Sequence, residues 1–403
     1  MSSIKIAEAR KIILEKIQSQ GTEKVSINEA LGRILSEDII ARRNNPPMDN
    51  SAMDGYALIA KDIELATPET PVKLDIIEDL AAGYSPEMTI QPGQAVRIMT
   101  GAPIPEGADA VIMQEDTERN GNSVQVKDKA EVRENIRDAG EDVREGETVI
   151  RKGADLMPAH IGMMAVVGRS TALVGRRPQV AVLSTGDEVM DLDEPLSGPC
   201  IYNSNGYMLA AQIKSAGGIP SYLGIARDNE KDLMEKFKWA LQCDMVVSSG
   251  GVSVGDYDLV KTSLKKMGQE MLFWKVAMKP GKPLAFGRID DVPIFGLPGN
   301  PVSSFVSFEQ FVRPSIRKMM GATQLNHKCV QAKLTRTVHK KAGRQHFLSS
   351  YVNWEGGECT VSPTQEQGSG ILKSTVNANG LLIFPLELTE MTEGTEVTVQ
   401  LLE

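Results

Sequence analysis

Between residues 179 and 320 short apolar runs alternate with longer stretches of helical period, and no other feature narrows the possible folds of this chain as far. The runs at 180–183, 221–225, 245–248, 272–278, 284–288 and 293–296 are too short for buried helices, so they read as strands. Helices are expected at 203–215, 229–241, 257–267 and 301–320, with Gly217-Gly218 closing the first. Strands and helices in alternation call for a largely parallel sheet covered on both faces. Such sheets bind ligands outside the carboxyl ends of their strands, which makes the loops after the strands the places to look for chemistry.

Four of those loops carry suggestive residues. Ser184-Thr-Gly-Asp-Glu188 offers Ser184, Thr185, Gly186, Asp187 and Glu188, and Ala226-Arg-Asp228 offers Asp228. Asp244-Met-Val-Val-Ser-Ser-Gly-Gly-Val-Ser-Val-Gly-Asp-Tyr-Asp258 leaves its strand through Ser249, Gly250, Gly251, Val252, Ser253 and Gly255, then reaches Asp256 and Asp258. A Gly-rich turn lets backbone N–H groups approach an anion, and carboxylates just beyond it suit a hard cation such as Mg²⁺. Leu297-Pro-Gly-Asn-Pro301 supplies Pro298, Gly299, Asn300 as a candidate N-cap and Pro301 in the first helical turn. A helix end of that kind attracts phosphate. Lys275, Lys279 and Lys282 lie on or beside a strand-turn-strand unit, and Lys275 and Lys279 would share a face of an extended strand. Each feature alone has an ordinary explanation as a turn or a helix cap. Together at one sheet edge they suggest a phosphorylated ligand, a divalent ion between it and the carboxylates, and lysines balancing the remaining charge.

The rest of the chain is organised differently. Residues 4–20 have helical period and Gly21 is expected to end that helix; a second short helix is expected at 26–34, capped by Ser26 or Asn28. Asn44-Asn-Pro-Pro47 marks a junction. The polar, turn-prone stretch Met48-Asp-Asn-Ser-Ala-Met-Asp-Gly-Tyr-Ala57 leads into a β-rich region with strands at 72–77, 94–99, 110–113 and 123–126. Asp54, Thr100 and Asp142 sit there in loops shaped by Gly and Pro, where solvated turn residues are the simpler reading. A helix is expected at 158–167, and short alternating segments from 327 to 403 suggest a small β-barrel without a helix.

Composition excludes several classes. The net charge of −9 opposes non-specific binding to nucleic acid or acidic membranes, and 5% aromatic residues are too few for base-stacking platforms. No apolar run approaches the roughly 20 residues of a membrane span. No signal-peptide pattern is seen at the N-terminus, and the four cysteines form no Cys-x-x-Cys pair, so a cytoplasmic protein with reduced thiols is expected. His339 and His346 are possible metal ligands, with surface positions on a β domain the stronger expectation.

The chain resembles the molybdopterin molybdenumtransferases, the family of MoeA and the gephyrin E domain. Asp49-Asn-Ser-Ala-Met-Asp-Gly-Tyr-Ala57, Arg97-Ile-Met-Thr-Gly-Ala-Pro103, Gly140-Glu-Asp142, Ser184-Thr-Gly-Asp-Glu188, Ser248-Ser-Gly-Gly-Val-Ser-Val-Gly255, Lys279-Pro-Gly-Lys-Pro283 and Leu297-Pro-Gly-Asn-Pro301 occur in the family's order across nearly the whole chain. The resemblance implies a multidomain α/β and β protein. It places an N-terminal helix at 1–26 and a linking domain at 27–45 with 144–177. A β-rich domain is inserted at 46–143, a MogA-like α/β domain covers 178–326, and a β-barrel covers 327–403. It implies a homodimer whose site lies between the α/β domain of one subunit and the inserted domain of the other. The implied reaction takes molybdopterin adenylate and molybdate with Mg²⁺ or a similar ion, releases AMP and leaves molybdenum on the dithiolene. By position, Asp228, Lys275 and Lys279 would act in the reaction, joined by Asp54, Thr100 and Asp142 from the other subunit. Glu188, Asp228 and Asp258 would hold metal. Substrate contacts would fall on Ser184 to Asp187, Ser249 to Ser253, Gly255, Asp256, Lys282, Pro298 to Pro301 and Ser369, although the family carries a larger polar residue where this chain has Gly370. Transient contact with a molybdopterin adenylyltransferase and with recipient molybdoenzymes is expected. A molybdopterin adenylyltransferase, a gephyrin-like peptide-binding scaffold and a nucleotide-binding module without turnover are the competing readings. The extra domains weigh against the first, and the lack of a fused adenylyltransferase segment in this sequence against the second.

Overall fold

A computed structural model describes residues 3–251 and 259–402. They fall into two compact units, residues 38–151 with 158–170, and residues 1–37, 152–157 and 171–403. Val252, Ser253, Gly255, Asp256 and Asp258 of the expected site lie outside the described residues. Among the described residues no helix is long and apolar enough to cross a membrane.

The unit around 38–151 is built on a six-stranded sheet of β1 (Gly55–Leu58), β2 (Val72–Leu80), β3 (Gln94–Ile98), β4 (Ala110–Met113), β5 (Thr117–Asn120) and β6 (Ser123–Val126), in the order β4-β1-β3-β2-β6-β5. Only β2 and β3 pair in parallel. Successive side chains of a strand point to opposite faces. Tyr56 and Leu58 therefore join one core with Leu74 and Ile112, while Ala57 joins another with Val96, Ile98 and Val111. Burial on both faces explains why β1, inside a stretch that looked turn-prone, is an inner strand. Gly55 is required there, because a Cβ would lie 1.9 Å from the Ile112 carbonyl oxygen. The helix Pro158–Val166 belongs to this unit and matches its expected span closely.

In the other unit a helix α1 (Ile6–Lys16) precedes the α/β segment. That segment runs β7 (Gln179–Thr185), α2 (Ser204–Ser215), β8 (Ile219–Ala226), α3 (Glu230–Ala240), β9 (Met245–Ser249), α4 (Leu259–Lys266), β10 (Glu270–Lys275), β11 (Pro283–Ile289), β12 (Val292–Leu297), α5 (Pro301–Ser307) and α6 (Arg313–Met319). The sheet order is β8-β7-β9-β12-β11-β10. Its first four strands are mutually parallel, and β11 and β10 add an antiparallel edge. Val180, Val182, Met245, Val247 and Phe295 face a core filled by α1, α2, α5 and α6, whereas Ala181, Leu183, Val246 and Ile294 face Leu233 and Phe237 of α3 and Val260 and Leu264 of α4. Burying each large apolar side chain contributes on the order of 1.5–3 kcal/mol.

A closed barrel follows, made of β13 (Cys329–Leu334), β14 (Gln345–Glu355), β15 (Glu358–Pro363), β16 (Gly380–Phe384) and β17 (Glu396–Leu401). Its ring is β14-β15-β13-β17-β16 and back to β14. Closure leaves no free strand edge. Leu334, Val352, Val361, Leu382, Phe384 and Val399 fill its interior.

Several expectations are corrected. The helix α1 stops at Lys16, five residues before Gly21, because Ile17 is buried in an extended conformation (φ −85°, ψ 126°). Residues 26–34 hold only a 3₁₀ turn, Ile27–Glu29, capped by the Ser26 side chain. The expected helix 301–320 is divided by a π-helical turn at Phe308–Val312. A short helix, Lys373–Val376, lies in the region expected to be free of them. The strand at 272–278 ends at Lys275; Met278–Lys279 pairs in parallel with Gln345–His346 of β14. Lys275 and Lys279 therefore do not share one extended strand.

Candidate active site

The carboxyl ends of β7, β8, β9 and β12 surround a cleft of about 840 Å³. Ser184 and Thr185 end β7 and are buried; Gly186 and Glu188 follow in its rim, and Asp228 stands two residues beyond β8. Ser249 ends β9 and leads into Gly250 and Gly251. Pro298, Gly299, Asn300 and Pro301 carry the wall from β12 into α5, and Gly370 closes part of it. The two glycines have no substitute. Their φ angles are +92° and +63°, and a Cβ would lie 2.6 Å from the Thr185 carbonyl oxygen at 250 and 2.2 Å from Val260 Cγ2 at 251. Bare backbone thus lines this part of the cleft, as close approach to an anion demands.

Hydrogen bonds fix the walls. Asn203 Oδ1 accepts from Ser184 Oγ (2.7 Å) and from the Gly206 N–H (3.0 Å), and Asn203 Nδ2 donates to Tyr222 Oη (2.7 Å). The N-cap of α2 is therefore also part of the cleft. Asn205 Nδ2 donates to Ser249 Oγ (2.8 Å) and to the Gly299 carbonyl (2.7 Å). Sequence reasoning missed both asparagines, because at a helix start they read simply as capping residues. Asn300 was expected to cap α5, but its side chain makes no cap bond; Nδ2 donates to Ser369 Oγ at 3.0 Å instead. The Val302 N–H also donates to the Ser369 carbonyl. The barrel loop bearing Ser369 is thereby held at the cleft.

Carboxylates crowd the rim. Asp187 lies outside the lining, but its Oδ1 accepts from the Asp228 N–H at 3.1 Å. Burial pushes the Asp228 carboxyl above its ordinary value, and the charges of Asp187 and Glu188 push it further, against the lowering effect of a backbone hydrogen bond. A divalent cation would relieve that crowding, and hard carboxylate oxygens suit Mg²⁺. Among the described residues no set of three or more His, Cys, Asp or Glu side chains is placed as a metal cage. Of the expected metal ligands, Glu188 and Asp228 line the cleft, and Asp258 lies outside the described residues.

The lysines lie elsewhere in the same unit. Lys275, Lys279 and Lys282 are not in the cleft lining, although Pro283 is. Lys279 borders a second cavity of about 500 Å³, with Arg336, His339, Lys340, Lys341, Arg344 and His346 also in its wall and no acidic residue among the described residues that line it. His346 is 8% exposed, not a surface residue as expected. Burial first, then Lys279, Lys340 and Arg344, pushes its pKa from 6.5 down to about 4. A metal ion is disfavoured among these cations, while an oxyanion is favoured. Arg336, His339, Lys340, Lys341, Arg344 and His346 fall within one stretch of the chain, but sequence reasoning did not bring Lys279 to them, because it lies far earlier in the chain and only the pairing of Met278–Lys279 with Gln345–His346 puts it there.

Asp54, Thr100 and Asp142 belong to the 38–151 unit. Asp54 Oδ1 accepts from both the Thr100 N–H and the Thr100 hydroxyl, each at 2.7 Å, and these bonds hold its carboxyl below the usual range. Asp142 Oδ2 accepts from Asn45 Nδ2 at 2.9 Å.

Comparison with known proteins covers the whole chain. Residues 4–168 match the MoeA N-terminal region (domain I and II), residues 181–318 a family model described as "Probable molybdopterin binding domain", and residues 331–402 the MoeA C-terminal region (domain IV). A molybdopterin molybdenumtransferase of Haemophilus influenzae is 38% identical over 98% of this chain and 97% of its own length. Molybdopterin molybdenumtransferase 2 of Mycobacterium tuberculosis is 37% identical over 98% of each chain. The crystal structure of the molybdopterin biosynthesis moeA protein from Pyrococcus horikoshii OT3 superposes with a TM-score of 0.85, at 33% identity over 100% of both chains.

Proposed function

This chain belongs to the molybdopterin molybdenumtransferase (MoeA) family and inserts molybdate in molybdenum cofactor biosynthesis, and we propose that it does so on an adenylylated molybdopterin, releasing AMP from the cleft at the ends of β7, β8, β9 and β12. The observation that carries this reading is the bare Gly250–Gly251 turn lining the same cleft as Glu188 and Asp228. A diphosphate needs both an approachable backbone and compensation for its charge, and the cleft offers the first and the anchoring groups for the second. An adenylyltransferase activity is not favoured, since the match extends through the MoeA N-terminal and C-terminal regions as well as the α/β domain.

In this reading the backbone at Gly250 and Gly251 receives the diphosphate, and Asn205 and Asn203 keep the surrounding walls in place. Glu188 and Asp228 would hold Mg²⁺, which when bound supplies charge neutralisation to the phosphate oxygens. The basic cavity of Lys279, Arg344 and their neighbours would hold the molybdate dianion, with Lys275 nearby in the chain. Asp54, kept ionised by Thr100, and Asp142 would complete the site from the second subunit of a cytoplasmic homodimer.

The test is molybdate-dependent AMP release from molybdopterin adenylate, with and without Mg²⁺. Asp228→Asn and Lys279→Ala should each lower the rate about 10²-fold or more, the scale of losing one preorganised electrostatic contact. Wild-type rates in both variants would refute the site assignment.

A further inference from the structure

The segment that carries Lys275 and Lys279 is bracketed by two elements remote from it in sequence. On one side the Ile4 N–H donates to the Lys275 carbonyl (3.1 Å), and the Ile4 carbonyl accepts from the Ala277 N–H (2.8 Å). This makes a one-residue parallel bridge between Ile4 and Val276. On the other side the Gln345 N–H of β14 donates to the Ala277 carbonyl (3.0 Å), and Met278 and Lys279 pair in parallel with Gln345 and His346. The turn also closes on itself, the Val276 N–H donating to the Lys282 carbonyl (3.0 Å). Val276 and Met278 are fully buried between the lysines, so the backbone that spaces the two ammonium groups is anchored from below and gripped from both sides.

We propose that Ile4 is a positioning residue for oxyanion binding: through its backbone N–H and carbonyl it sets the conformation of 275–277 and hence the point from which the main chain delivers Lys279 to the wall of the basic cavity. This rests on the reading that Lys279 serves the molybdate. A flexible side chain acts on a small anion with useful geometry only when its main-chain origin is fixed, and a displacement of about 1 Å is enough to lose much of the effect. The two backbone bonds lie outside α1, which begins at Ile6 after its N-cap Lys5, while the Ile4 side chain packs against the same core as Ile6, Ala9 and Ile13, so the thermal unfolding curves separate lost packing from lost positioning.

The experiment measures KM and kcat for molybdate and, separately, KM for the adenylate. The proteins are wild type, Ile4→Val, Ile4→Pro, a chain lacking residues 1–4, and Lys279→Ala, each with a thermal unfolding curve. Ile4→Pro removes the donor to Lys275, and the deletion removes both hydrogen bonds. Each should raise the molybdate KM about tenfold with kcat and the adenylate KM within about twofold, while Ile4→Val matches wild type, the pattern of lost ground-state binding to one substrate alone. A molybdate KM unchanged in both Ile4→Pro and the deletion, with Lys279→Ala raising it, overturns the positioning role and leaves the lysine assignment standing. Parallel shifts in both KM values together with a lowered Tm also overturn it, since that is general destabilisation. An unchanged molybdate KM in Lys279→Ala overturns the lysine assignment and this inference with it.

Discussion

Asn205 ties three pieces of the cleft with one amide group. Its Nδ2 reaches Ser249 Oγ at the end of β9 and the Gly299 carbonyl after β12, while its backbone belongs to the first turn of α2. Asn205→Ala takes this donor from the buried Ser249 hydroxyl and from the exposed Gly299 carbonyl. A loss of about 1–3 kcal/mol of stability is expected, read by equilibrium urea unfolding, together with a raised KM for the adenylate. Unchanged stability and KM would mean that the loops hold themselves. His346 makes a second prediction of known sign. Its folded pKa of about 4 lies below the ordinary 6.5. Above about pH 6.5 neither state carries the proton. As pH falls from 6.5 towards 4 the unfolded chain takes up a proton that the folded chain refuses, so stability declines across that window. His346→Gln abolishes the difference. Urea midpoints of the wild type should therefore fall more steeply than those of His346→Gln between pH 6.5 and 4, and parallel curves would refute the assignment.

At the scale of elements, the π turn Phe308–Val312 decides how α1, the α/β sheet and the barrel are joined. The extra residue in that turn lets adjacent side chains both find buried partners. Gln310 accepts from the Arg10 guanidinium of α1 and donates to Gln400 of β17 (2.8 Å). Glu309 accepts from Gln212 of α2 and is bonded to His327 at 2.7 Å. Gln310→Leu should cost about 1–3 kcal/mol, because it leaves the side chains of Arg10 and Gln400 without these partners in a buried setting. Calorimetric unfolding compares it with the wild type, and an unchanged Tm would show that the turn is dispensable. The π turn was illegible in the sequence because the apolar spacing of Val302, Val306, Phe308, Phe311 and Ile316 suits a plain helix, and only tertiary partners select the wider turn. The end of α1 was misread for a related reason: Ile17 is buried like the helical isoleucines before it, and burial pattern alone does not report the change to extended backbone. The parallel sheet was legible because strands such as β9 are apolar on both faces. The rim of the cleft was legible because Gly250, Gly251 and Asp228 are unusual residues just past strand ends. Asn205 and the basic cavity were not, the one for resembling a helix start, the other because only the fold brings Lys279 to the basic stretch 336–346.

The chain as a whole carries its candidate groups in two separate units, Asp54 and Thr100 in one, Glu188 and Asp228 in the other. The proposed homodimer requires that each working site take its cleft from one subunit and Asp54 from the other, and this has a consequence that no single-subunit site shares. Asp54→Ala and Asp228→Asn homodimers should both be inactive. In a heterodimer of the two, isolated through different affinity tags on the two chains, twofold symmetry generates two unlike sites. If each site lies within a subunit, one combines an intact Asp228 with Asp54→Ala and the other an intact Asp54 with Asp228→Asn; if it is shared, one site unites both intact residues and the other unites both substitutions. Shared sites therefore predict recovery of about half the wild-type AMP release per dimer. Sites confined to one subunit predict no recovery, since every subunit then carries a lesion. Activity at the level of the parent variants would remove Asp54 from a shared site, and with it the reason for assigning the inserted domain a part in the chemistry.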